Sequence, residues 1–248
     1  MKRFYEVDFI KGVAVILMVI FHYFYFGTQM GKLNYNTNEG LLFIMGKLAH
    51  ITFIFMVGVN LVITRLNQKD KTDQEYRQDQ YKRLFFIICV AAFISFFTYI
   101  TFPNNWIKFG ILHFIPVGIF LLLPLVKRPN VALMVATGLE TIHQLNEAGY
   151  LTELYQYVPE IPAFILGLYN NRFSALDHFA IIKYLPVMAL GIYTGNQVYT
   201  YKNRKIKQLN YLDNVLTKEN VIVKLGKHSL GIYIAHLVII YLYFSKFI

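Results

Sequence analysis

Thiols and charges are both scarce in this chain. One cysteine, Cys89, stands among 248 residues. A lone thiol excludes an intrachain disulfide and leaves no basis for a cysteine metal site. Only 15% of the residues are charged and 56% are hydrophobic, too apolar a balance for an ordinary soluble domain. No H-x-x-x-H spacing occurs, so a zinc site is not implied even though His22, His113 and Asp177 supply ligand atoms. The last apolar segment carries Lys only at its ends (Lys224, Lys227 and Lys246), which excludes the buried Schiff-base lysine of a retinal protein. There is no long internal repeat and no low-complexity tail. No small-residue cleavage site follows the first apolar run, so that run reads as a retained helix and not as a signal peptide.

What is present is apolar length. Seven segments are long or apolar enough to read as membrane helices, at about residues 9–27, 46–65, 84–102, 107–126, 130–145, 179–199 and 225–244. Residues 41–45 read as dipping into the interface, and residues 67–83 as a highly charged loop. The fifth segment is short and polar for a span. The connection at 146–178 holds Pro159, Pro162 and a turn at Asn170 and Asn171. Its apolar middle, 161–169, is too short to cross and reads as interfacial or re-entrant. The expected fold is therefore all-α: a polytopic membrane helix bundle of about seven transmembrane helices, forming one domain over residues 1–248.

The formal net charge of +10 has two readings. On a soluble protein it would suggest nucleic acid. Here the cations sit in short loops, and seven spans with a cytosolic N-terminus place all but six of the 24 Lys and Arg on the inner side. The six are Lys32, Lys47, Lys108, Arg172, Lys183 and Lys246. This asymmetry is the positive-inside pattern beside anionic lipid, so membrane lipid is the expected partner and nucleic acid is not.

Ionisable residues inside a membrane are costly and are functional candidates by default. On this topology His22, His50, His113, His143 and His178 lie toward the outer half and His236 near mid-depth, with Glu140 and Asp177 in the same outer half. Glu140 and His143 are three apart, hence on one helical face. His50, His143 and His236 are read as hydrogen-bonded packing residues, Lys47 and Lys183 as snorkelling, and His228 as interfacial. His22 is different: it follows a charged entrance holding Arg3, Glu6, Asp8 and Lys11. Eleven residues separate Lys11 from His22, about 16 Å of helix and about half the hydrocarbon thickness.

Five blocks, in order, carry a resemblance over nearly the whole chain. They are EVDFIKGVAVILMVIFH at 6–22, FIFMVGV at 53–59, FGILHFI at 109–115, SALDHFAIIKYLPVMALGIYTG at 174–195 and LGKHSLGIYIAH at 225–236. Together they resemble the catalytic domain of heparan-alpha-glucosaminide N-acetyltransferase-like membrane proteins, in a compact microbial form without the animal enzyme's extra luminal domain. More distantly they resemble inner-membrane O-acyltransferases of glycans, in which a basic residue and a His stand eleven apart on the first helix. There the basic residue is Arg; here it is Lys11, which offers no bidentate fork to a phosphate.

The resemblance implies an acyl-CoA-dependent enzyme of a microbial cytoplasmic membrane. An acyl group, expected to be acetyl, would pass from cytosolic acetyl-CoA, a co-substrate, to a sugar or glycoconjugate amine or hydroxyl at the outer face. His22 is the expected general base, Asp177 or Glu140 would orient it, and His113 is the alternative base or an oxyanion donor. Arg3, Lys11, Arg65 and Arg83 are the expected CoA-binding cations. No metal is expected, and the oligomeric state, a homodimer included, stays open. A different class remains: a proton-coupled small-molecule transporter using the same His and acid residues. The lack of paired Gly/Pro-broken helices in corresponding halves counts against it.

Overall fold

The computed structural model describes residues 3–168, 175–201 and 203–246. Asn170, Asn171, Arg172 and Ser174, and the basic residues Lys2 and Lys202, lie outside them. Ten helices are assigned among the described residues: α1 (Tyr5–Gln29), α2 (Gly40–Asn67), α3 (Asp73–Thr101), α4 (Ile111–Leu122), α5 (Pro129–Glu147), α6 (Glu160–Leu166), α7 (Ile181–Val198), α8 (Leu212–Val215), α9 (Val221–Lys227) and α10 (Ser229–Lys246). The fold is an all-α membrane bundle. Four helices, α1, α2, α3 and α10, are long and apolar enough to cross a membrane.

Several elements differ from the sequence reading. The stretch 67–83 is not a loop throughout, because α3 begins at Asp73. A reciprocal capping box between Thr72 and Glu75 satisfies backbone donors at its first turn and starts the helix inside the charged run. Residues 41–45 belong to one continuous α2. The fourth segment is helical only from Ile111, and its C-terminal end tightens into a 3₁₀ turn at Leu123–Leu125. The last segment is interrupted: α9 ends at Lys227, His228 caps it, and α10 restarts at Ser229. The apolar middle of the long connection is the short helix α6, closed by Gly167 in the left-handed conformation that glycine adopts without a Cβ penalty.

The chain divides into two compact units. One comprises residues up to 56 and from 204 onward; the other is 57–203. In the first, α1 packs against α9 and α10. The α1–α9 contact is backbone against backbone. A Cβ at Gly226 would stand 1.7 Å from the Asp8 carbonyl oxygen, and one at Gly12 would stand 2.0 Å from that of Ile222. In the second, α7 packs against α5 and α4 around the fully buried Phe114, Leu122, Met188 and Ile192. Gly58 of α2 meets α7 equally closely, its would-be Cβ lying 2.1 Å from the Met188 carbonyl oxygen.

Candidate functional site

In the first unit the entrance motif of α1 is an ion-pair framework. Glu6 receives both the Nε and a terminal nitrogen of Arg204, each at 2.8 Å. The same guanidinium donates to Asp213 at 2.8 and 3.1 Å, and its side chain is fully buried. Glu6 first and Asp213 second raise the Arg204 pKa, so the charge is fixed. Asp8, itself buried, pairs with Arg3 and, at 2.8 Å, with Lys11. Arg3 and Lys11, two expected CoA cations, thus share one carboxylate. The sequence reading treated Arg204 only as a loop charge; its role depends on partners far along the chain, and only the acidic pair in EVDF hinted that a buried cation was needed.

Further along α1, His22 is half-buried and its Nδ1 lies 2.8 Å from Nε2 of His236 on α10. The rings stack at 5.0 Å with an interplanar angle of 19°. Phe26 and the edge of Tyr233 flank His22. The proton positions follow from what each partner can do. His236 Nδ1 lies 3.0 Å from the Ile232 carbonyl oxygen, which only accepts, so Nδ1 carries the proton. In the neutral ring Nε2 then presents a lone pair, and His22 Nδ1 must donate to it. His22 Nε2 is left as the basic nitrogen. His236, read from sequence as a hydrogen-bonded packing residue, is buried and hydrogen-bonded, and its bond to His22 also fixes the tautomer of the candidate base. Its signal was present in the LGKHSLGIYIAH block, but nothing local tied it to His22.

In the second unit Asp177 and His113 flank the start of α4. Asp177 Oδ2 accepts the Ile111 backbone N–H at 3.2 Å, while Phe179 N–H donates to the Phe109 carbonyl at 2.9 Å. Two of the sequence blocks, FGILHFI and the one containing Asp177, are therefore hydrogen-bonded to each other. Gly110 permits this, because a Cβ there would lie 2.6 Å from Asp177 Oδ2. Burial pushes the Asp177 carboxyl up to about 6, against the pull of the Ile111 N–H. His113 Nε2 lies 3.2 Å from Ser95 Oγ, and that hydroxyl donates to the Ile107 carbonyl at 2.7 Å. Nε2 is then the donor, and Nδ1 is a buried lone pair without a partner among the described residues. The Glu140–His143 pair expected from spacing does not form. Glu140 accepts from Gln144 at 2.6 Å, and the acid nearest His143 is Glu147 at 3.9 Å.

The second cationic locus is a cleft of about 270 Å³ bordered by Arg65, Lys69, Lys127 and Val126. Arg65 donates to the Gln68 carbonyl and to Asp73, both at 2.7 Å, and its buried Nε has no partner among the described residues. Asp73 also pairs with Lys127, so one carboxylate is shared by two cations. Arg83 is exposed on α3 and does not line this cleft. Among the described residues no group of three or more His, Cys, Asp or Glu is placed to hold a metal ion.

Four long apolar helices with a hydrogen-bonded histidine pair on two of them define an integral membrane protein that carries ionisable groups within its helices. Residues 3–238 match the family described as heparan-alpha-glucosaminide N-acetyltransferase, catalytic, and the chain belongs to that family. It is a membrane acetyltransferase, and its family uses acetyl-CoA as donor in general. No curated protein and no solved structure matches the chain.

Proposed function

We propose that this chain transfers an acetyl group from cytosolic acetyl-CoA to an amine or hydroxyl of a sugar or glycoconjugate at the outer face of a microbial cytoplasmic membrane. The observation that carries the reading is the proton assignment in the His22–His236 pair, which leaves His22 Nε2 with a lone pair on a half-buried side chain. In this reading the bundle spans the membrane seven times with its N-terminus inside, and the two units act as one acyltransferase domain. The positive-inside bias and the family segment, which covers residues in both units, support it.

His22 Nε2 takes the proton of the acceptor N–H or O–H as that atom attacks the thioester carbonyl. The new C–N or C–O bond forms, the C–S bond breaks, and the CoA sulfur leaves as thiolate and takes the proton back from His22. While His22 is an imidazolium, its Nδ1–H keeps its hydrogen bond to His236, so both rings hold their orientation through the cycle. Asp177 and His113 complete the proposed catalytic set. His113 Nδ1, without a partner among the described residues, fits the alternative base, and Asp177 is held at the α4 N-terminus by the Ile111 N–H.

CoA phosphates are assigned to the cationic cleft of Arg65, with Arg83, Arg3 and Lys11 contributing charge along the inner ends. Because Arg3 and Lys11 share Asp8, that pair adds one net charge and not two. The test is acetyl-CoA binding by calorimetry and radiolabelled acetyl transfer to amine- and hydroxyl-terminated sugars by the purified protein in detergent. Binding together with turnover that His22→Ala abolishes is the expected result. No CoA binding at millimolar ligand sinks the proposal, and unchanged turnover in His22→Ala moves the base to His113. Substrate uptake into proteoliposomes without acetyl-CoA would favour a transporter instead.

A further inference from the structure

A second cavity, of about 440 Å³, lies in the second unit between the C-terminal end of α5, the end of α6 and the start of α7. No step of acetyl transfer uses it. His143, Asn146 and Glu147 come from α5, and His178, Lys183 and Tyr184 from the approach to α7. Two opposite charges border it without neutralising each other. Among the described residues Glu147 has no hydrogen bond, and its one ion-pair contact is with the His143 imidazole at 3.9 Å. Among the described residues Lys183 makes no ion pair, and it lies 5.7 Å from the Tyr184 ring centroid. A cavity of this size accommodates a small polar group. An acid and a base on one rim that do not pair with each other match a group bearing both an ammonium and an anion.

The same helix indicates what such a group is attached to. At about 100° per residue, Leu145 and Met134 fall within about 80° of Ile142 on one side. Asn146, His143 and Glu147 fall at about 40°, 100° and 140° on the other. Met134, Ile142 and Leu145 are exposed at 71%, 40% and 41%. Met134, Ile142 and Leu145 therefore share one exposed side of α5, with Gly138 between them, and this side borders the polar rim. In an integral membrane protein that is the layout for an amphiphile, tail on the exposed side and head in the cavity.

We propose that this cavity binds the headgroup of an amine-bearing zwitterionic phospholipid. Its primary ammonium donates to Glu147, and its phosphate pairs with Lys183. Choline cannot make the first contact, because its trimethylammonium has no N–H to donate. Phosphatidylglycerol offers no cation to Glu147. The site is independent of the acetyl-transfer reading, since neither Glu147 nor Lys183 takes part in it.

The experiment titrates the purified full chain in detergent with dihexanoyl phosphatidylethanolamine, phosphatidylcholine and phosphatidylglycerol, reading affinity from the shift in melting temperature. Tightest binding of the ethanolamine lipid is expected. Glu147→Gln should erase about tenfold of its preference over choline, the loss of one charge-assisted hydrogen bond. Lys183→Gln should weaken all three lipids alike. Both variants should retain wild-type acetyl-CoA turnover, which separates this site from the catalytic one. Free phosphoethanolamine should compete with the lipid. Equal binding of the three lipids, or an undiminished ethanolamine preference in Glu147→Gln, overturns the proposal. Competition by glucosamine but not by phosphoethanolamine also overturns it and gives the cavity to a sugar.

Discussion

Replacing His236 by Ala tests the histidine pair directly. The substitution removes the acceptor 2.8 Å from His22 Nδ1 and leaves His22 in place. Two effects follow. His22 loses the bond that selects the tautomer with a basic Nε2, and the imidazolium formed in the transition state loses a charged hydrogen bond. A hydrogen bond to a charged group contributes about 1.5–3 kcal/mol. At about 1.4 kcal/mol per decade this is roughly a 10- to 150-fold fall in kcat. A positioned base contributes about 10²–10⁴-fold, so His22→Ala should cost more than His236→Ala. If His236 acts only through His22, the double variant should be no slower than His22→Ala alone. His236→Gln keeps a side-chain acceptor and should recover most of the loss. The assay is steady-state acetyl transfer, with acetyl-CoA binding measured separately by calorimetry. A fall in kcat with unchanged CoA affinity is expected. Wild-type kcat in His236→Ala, or a double variant slowed by the product of the two single effects, would refute the reasoning.

Four further outcomes follow from the fold. Arg204→Met removes two hydrogen bonds and an ion pair from the buried Glu6 and should destabilise the protein by about 3–5 kcal/mol, measured by thermal or denaturant unfolding in detergent; adding Glu6→Gln should recover part of that, and an unchanged stability would deny the framework its role. Asp177 is pushed up from 3.8 to about 6, so the folded state binds its proton more tightly than the unfolded chain does. Its contribution is therefore favourable below about pH 4 and is lost as pH rises toward 6, by at most about 3 kcal/mol. Asp177→Asn should keep the acceptor for Ile111 N–H, flatten stability between pH 4 and 6 and raise the melting temperature at pH 7. Gly226→Ala should cost about 1–3 kcal/mol or more, because its Cβ meets the Asp8 carbonyl and not a movable side chain. Gly138→Ala on α5, where a Cβ meets nothing within 4 Å, should instead stabilise by about 0.5–1 kcal/mol in the same unfolding assay.

The sequence by itself determined what depends on near neighbours. Apolar runs longer than a bilayer is thick gave α1, α2, α3 and α10, because a buried backbone must satisfy its own hydrogen bonds and a helix does so locally. Family membership was also legible, from five ordered blocks. Some local signals were present but unread: Thr72 and Glu75 are a capping box in plain view, and they start α3 inside what looked like a charged loop. Spacing misled where several local partners compete. Glu140 and His143 share a helix face, yet each has a different neighbour at i+4. Tertiary structure alone decided the pairings. His22 meets His236 across 214 residues, and Glu6 meets Arg204 across 198. No periodicity encodes such a contact. It exists because Gly12 and Gly226 let α1 and α9 touch backbone to backbone, and because a buried charge or imidazole is stable only where the fold brings it a partner.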